Sequence, residues 1–158
     1  MAEVARRPIA LLTAAVLFLE APGIVAVNAI MARFVRAQSM SLDGLDPELL
    51  YTGTWALGIG SGALLLLCAL VPLIAAIRDR RPGRAGRALL VGCAVVHGLL
   101  GAVAVGLLGW LVFGYLMLVV ALIVLTLVAY GETAAAPKPG APRGEGPEPA
   151  PEAPAVTA

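Results

Sequence analysis

Charge is scarce in this chain. Only 13% of its 158 residues are charged, with a single lysine, Lys138, and a single histidine, His97, where a soluble domain carries about a quarter charged residues. A net charge of +1 built this way describes no basic face for nucleic acid, because the basic residues sit beside apolar runs. Cysteine is limited to Cys68 and Cys93. They form no CxxC pair, which excludes a thioredoxin-like redox motif and a zinc site on cysteine pairs. Both lie inside apolar runs and read as small packing residues. With one histidine, ligation of haem by two histidines of one chain is impossible. The sequence also lacks a Ser–His–Asp set, a phosphate loop and a cluster of metal ligands. No enzyme, cofactor or metal is expected.

What is abundant is apolar: 60% of the residues are hydrophobic. A helix crosses a hydrocarbon core of about 30 Å with about 20 apolar residues. Four segments qualify, over about 8–32, 51–77, 88–108 and 111–130. The first holds one charge, Glu20, and the second none. From Ala88 to Tyr130 there is again no charge, enough for two helices joined at Gly109, with Gly106 and Gly114 as alternatives. The runs are continuously apolar, without the strict alternation of a transmembrane β-barrel. Arg6 and Arg7 before the first run resemble the start of a signal peptide, but the run is too long and Val27-Asn28-Ala29 cleaves poorly, so the segment is retained as a helix. The expected fold is an all-α membrane protein, a four-transmembrane-helix bundle over residues 1–130. A disordered, Pro-rich tail over 131–158 follows, with seven prolines. PxxP spacings such as Pro139 to Pro142 read as part of a flexible tether.

Orientation follows from the basic residues. Arg6, Arg7, Arg78, Arg80, Arg81, Arg84, Arg87, Lys138 and Arg143 fall on one side of the four spans. The other side has Arg33 and Arg36, offset by Asp43, Asp46 and Glu48. The positive-inside rule predicts both termini in the cytoplasm. The excess of arginine over lysine fits a GC-rich bacterial gene, so the expected location is a bacterial plasma membrane. Asp46-Pro47-Glu48 has the order of a helix start, an N-cap acceptor, a proline and an acid at the positive dipole end. Tyr51, Trp55, Trp110 and Tyr130 fall near span ends, where aromatic rings favour the interface.

Membrane helices associate by close packing and hydrogen bonds. The second span offers Gly58 and Gly62, and the third a ladder of Ala94, Gly98, Ala102 and Gly106 beside Cys93, His97 and Gly101. These faces predict helices two and three as the tightly packed centre, with the Leu/Val/Ile-rich fourth facing lipid.

Two ionisable residues lie deep, Glu20 roughly 18 Å and His97 roughly 14 Å from the Arg-rich edge at about 1.5 Å per residue. A charge at mid-bilayer costs at least about 2.5–3.5 kcal/mol, so Glu20 must be protonated, paired or wetted, and pairing with His97 would serve both. Pro22 and Gly23 predict a kink just after Glu20 and free the Phe18 carbonyl. Thr13 lies on nearly the same face, and Asn28 about 80° round the axis faces a neighbouring helix. Glu20, His97, Thr13 and Asn28 are the candidate polar site, structural pin or proton-coupled centre. Arg78, Arg80, Arg81, Arg84 and Arg87 set topology or attract anionic lipid.

The stretch Gln38-Ser39-Met40-Ser41-Leu42-Asp43-Gly44-Leu45-Asp46-Pro47, the Leu19-Glu20-Ala21-Pro22-Gly23 segment and the Cys93-to-Gly101 region resemble uncharacterised small four-helix membrane proteins of actinobacteria. The resemblance covers residues 8–130 and implies no activity. Small multidrug transporters share four helices and a glutamate in the first, but their tight loops and balanced charges differ from the long 33–50 connector and one-sided arginines here. The function expected is a scaffold or accessory subunit acting through helix contacts, the alternative a proton-coupled small-molecule transporter or channel component using Glu20. The expected partners are the lipid bilayer and a second copy (a homo-oligomer) or a larger membrane protein.

Overall fold

In a computed structural model the described residues are 2–37, 44 and 46–131, with side chains from Arg6 onward. The tail and most of the first connector lie outside them, and with them the expected tail disorder and the Asp43 half of its turn. The described residues form four α-helices and no strand: α1 (Ala2–Ala37), α2 (Pro47–Arg78), α3 (Arg84–Leu107) and α4 (Trp110–Gly131). All four are long and apolar enough to cross a membrane, and the chain is a multi-pass membrane protein. At about 1.5 Å per residue α1 is roughly 54 Å long and α2 roughly 48 Å, so both project beyond the hydrocarbon. Beyond it, on the side of the first connector, Arg36 lies over the Tyr51 ring at 4.9 Å and 3.9 Å from Glu48. That exposed pair contributes little.

The helix ends follow local chemistry. Asp46 takes an extended conformation, and its carboxylate accepts the Glu48 N–H at 2.9 Å, with Pro47 at the first helical position. Gly109, at φ +88°, joins α3 to α4. Its N–H donates to the Ala104 carbonyl at 2.9 Å, and its own carbonyl accepts the Phe113 N–H at 3.4 Å. One residue thus ends one helix and starts the next, a conformation that costs glycine little. Helix α1 continues unbroken through Pro8 and Pro22.

Packing departs from expectation. Gly58 and Gly62 are an interface, but with α1: a Cβ at Gly58 would stand 2.6 Å from the Asn28 Cβ, and one at Gly62 would stand 2.6 Å from Val25 and 3.1 Å from the Ala21 carbonyl oxygen. Helix α3 spends its smooth face on α4, where Gly101 sits against Met117, Leu116 and Phe113. The pairs α1–α2 and α3–α4 therefore dominate, while α2 and α3 touch little. The ladder of Ala94, Gly98, Ala102 and Gly106 is not a continuous interface within this chain: Ala94 packs against the core, but Ala102 and Gly106 are exposed, and a Cβ on Gly98 or Gly106 would meet nothing within 4 Å. Nor does α4 simply face lipid. Val119, Leu122, Ile123, Thr126 and Tyr130 form a buried stripe at helical spacing. Leu17, Cys68, Ala69, Leu90, Cys93, Val119 and Ile123 make one core from all four helices.

The Arg-rich end is closed by Asp79. It caps α2 in the left-handed conformation, φ 50°, its N–H bonded to the Ala75 carbonyl. Arg6 reaches its Oδ2 at 2.8 Å and Arg7 at 3.0 Å, and the Arg6 guanidinium also lies over the Tyr130 ring at 5.9 Å. One carboxylate thereby ties the start of α1 and the end of α2 to the end of α4. Tyr130 is buried there rather than presented to the interface.

Two outcomes follow. Gly62→Leu should weaken α1–α2 packing by about 1–3 kcal/mol, read as earlier unfolding in denaturing detergent, whereas Gly98→Ala, with open space around it, should be neutral or slightly stabilising. The two guanidinium hydrogen bonds hold the Asp79 carboxyl below the ordinary aspartate range. A carboxyl depressed in the folded state stabilises above its unfolded pKa of about 3.9 and loses that contribution as pH falls through the folded value. Asp79→Asn, which tolerates the left-handed backbone, should lower the melting temperature at pH 7, with the deficit vanishing at pH values below that folded value.

Candidate functional site

Glu20 and His97 meet. Their helices carry them to similar depth, and Glu20 Oε2 stands 3.2 Å from His97 Nε2. The side chains are 15% and 5% exposed. His97 Nδ1 lies 2.8 Å from the Cys93 carbonyl oxygen, one turn back on α3. A carbonyl only accepts, so Nδ1 carries a proton, an assignment made from its partner. Nε2 and Oε2 would then repel as bare lone pairs. A proton between them removes the conflict, in one of two forms: a carboxylic acid donating to a neutral imidazole, or an imidazolium donating to a carboxylate. Both forms have no net charge, which answers the cost of a charge at this depth. The pair is therefore a one-proton site.

The pair stands in the wall of a cavity of about 730 Å³, open on one side, lined from α1, α2 and α3 with one residue of α4. It exists because α2 and α3 stand apart. Leu19, Ile24 and Val27 of α1, Leu64 and Leu65 of α2, and Leu89, Val96 and Leu100 of α3 make it mainly apolar. Its polar groups are Glu20, His97, Ser61, Tyr115 and the thiols of Cys68 and Cys93. The absence of a residue beyond Cα at Gly23 and Gly92 widens it. The volume lies within the range of small-molecule sites, about 300–1,000 Å³. Among the described residues no three histidine, cysteine or acidic side chains are placed to hold a metal ion.

Two predicted members lie elsewhere. The Thr13 hydroxyl is 2.8 Å from that of Thr126 on α4 and 3.1 Å from the Leu122 carbonyl oxygen. Seven residues place Thr13 roughly 10 Å below Glu20 along the axis, which is why a shared face does not make a shared site. Asn28 donates to the Ile24 carbonyl at 2.9 Å and covers Gly58, so it faces α2. Sequence reading missed Tyr115 and Ser61 as cavity residues. A single tyrosine or serine in an apolar run leaves no periodic signal. The spacing of Cys93 and His97 at i and i+4 was the available sign that the thiol shares the histidine's face.

Replacing Glu20 with Gln preserves a donor for Nε2, so the chain should fold with near wild-type thermal stability. Glu20→Leu strips the buried imidazole of its partner and should cost about 1–3 kcal/mol, measured by melting in detergent. No protein-family model, curated protein or solved structure matches this chain, so the geometry is what a functional reading must rest on.

Proposed function

We infer that this protein binds a small amphipathic amine in the α2–α3 cavity in exchange for the proton shared by Glu20 and His97, as a proton-coupled transporter component. The observation that carries the reading is the one-proton pair in the wall of a large, mostly apolar, open cavity. An apolar body would bury its carbon surface at about 25 cal/mol per Å². Its ammonium group would pair with the Glu20 carboxylate, leaving His97 neutral on its Cys93 hydrogen bond. The proton leaves as the cation enters, so neither the loaded nor the empty site holds a net charge. The positive-inside bias of the arginines supports a plasma-membrane location with cytoplasmic termini.

The test is labelling of Glu20 by a hydrophobic carbodiimide in native membranes across a pH series, read by mass spectrometry. Labelling that falls as pH rises, and that a hydrophobic amine such as 3,3,3-triphenylpropylamine suppresses, is the expected result. No labelling at any pH would mean a sealed pair and would overturn the exchange.

A second reading, an accessory subunit acting through helix contacts, draws on the uncovered part of the α3 ladder, Gly98, Ala102 and Gly106. Such a face suits close approach by a helix of a second copy or a larger membrane protein. Gly98→Leu should then abolish co-purification of that partner while leaving the isolated chain folded.

A further inference from the structure

A second cavity, of about 320 Å³, lies at the Arg-rich end between α2 and α3. Its wall is apolar where α2 is still in the membrane, with Val71, Ile74 and Ala75, and basic at its mouth, with Arg78, Arg80 and Arg81. The opposite side is the first turn of α3, where Gly83 and Gly86 bring backbone rather than side chains.

Charge accounting sets this cavity apart. The connector from Arg78 to Arg87 has one acid, Asp79, and that carboxylate is already held by Arg6 and Arg7 from another helix. The side chains of Arg78, Arg80 and Arg81 form no ion pair with any described residue. The α3 N-terminus beside them is equally unanswered: its N-cap, Gly83, supplies no side-chain cap, and its first turn holds no acid. The first backbone N–H groups of a helix lack intrahelical acceptors and carry the positive end of the dipole. Three exposed arginines and the first turn of α3 with its orphan N–H groups border one concave space, a donor set that suits phosphate oxygens.

We propose that this cavity is a binding site for a phosphate monoanion, supplied by the headgroup of an anionic phospholipid. The apolar wall decides for a lipid. It begins within about one helical turn, roughly 5 Å, of Arg78 and continues the groove into the hydrocarbon, where Val71 and Ile74 lie alongside an acyl chain. The site is separate from the Glu20–His97 cavity and does not depend on its role.

The full chain, in nanodiscs of phosphatidylcholine and phosphatidylglycerol, tests this by native mass spectrometry of retained lipid, with circular dichroism as the check on folding. Wild type should retain phosphatidylglycerol selectively. At about 1 kcal/mol per arginine, Arg80→Gln with Arg81→Gln should lower retention about 25-fold. Arg84→Gln with Arg87→Gln removes the same charge outside the cavity and should leave retention near wild type. Gly83→Glu, at a backbone any residue adopts and with open space around it, should lower retention with all arginines present. Equal losses in the two arginine pairs would reduce the effect to diffuse surface charge and overturn the site, and absence of selective retention would overturn the lipid as its occupant. Phosphorus magnetic resonance of the detergent-purified chain with inorganic phosphate separates the sources. Line broadening that the Arg80/Arg81 pair abolishes, without lipid retention, would keep the phosphate site and replace the lipid by free phosphate.

Discussion

The close approach of α1 and α2 over Gly58 and Gly62 is the contact on which the remaining architecture depends. Backbones that meet at the positions where a Cβ would stand 2.6 Å from its neighbour leave no room for a third helix on that face. Lipid offers no hydrophobic drive for helices to associate, so each helix spends its few smooth surfaces where they fit best. Helix α2 spends its own on α1, and α3 spends Gly101 on α4. The gap between α2 and α3 is the remainder, and both cavities lie in it. The bundle is two tight pairs that share one core drawn from all four helices.

Burial of polar groups is resolved in pairs. Thr13 with Thr126 links α1 to α4, Glu20 with His97 links α1 to α3, and Asp79 gathers Arg6 and Arg7. Every one of these involves α1. The polar contacts do for α1 across the bundle what glycine does for α2 locally. The difference in exposure matters to function: the threonine pair is fully enclosed, whereas Glu20 borders the open cavity.

How much of this was legible in the sequence depends on the range of the interaction. The Asp46 cap, the Pro47 start and the Gly109 turn are local chemistry, readable from three or four residues. The meeting of Glu20 with His97 could be read from depth alone, because a bilayer turns residue counting into a coordinate and a buried acid needs an answer. Helix partners could not be read the same way. Gly58 and Gly62 announce a smooth face but not which of three neighbours will occupy it, and a repeat such as Ala94, Gly98, Ala102 and Gly106 looks identical whether it is covered or bare. Thr13 illustrates the complementary error: angular position around a helix was known, but height decided the partner.

The two-residue link of Leu108 and Gly109 has a consequence for how the chain enters the membrane. Between Arg87 and Gly131 there is no charged side chain, and no loop long enough to be held on the far side. Helices α3 and α4 thus carry no address of their own at the turn. By the positive-inside rule their direction is set from the Arg-rich side alone, by the connector before α3 and by Lys138 and Arg143 after α4. The far side receives the stretch joining α1 to α2 and the short, exposed α3–α4 turn. A protein, antibody or protease working from that side meets these two connections and the helix ends that flank them.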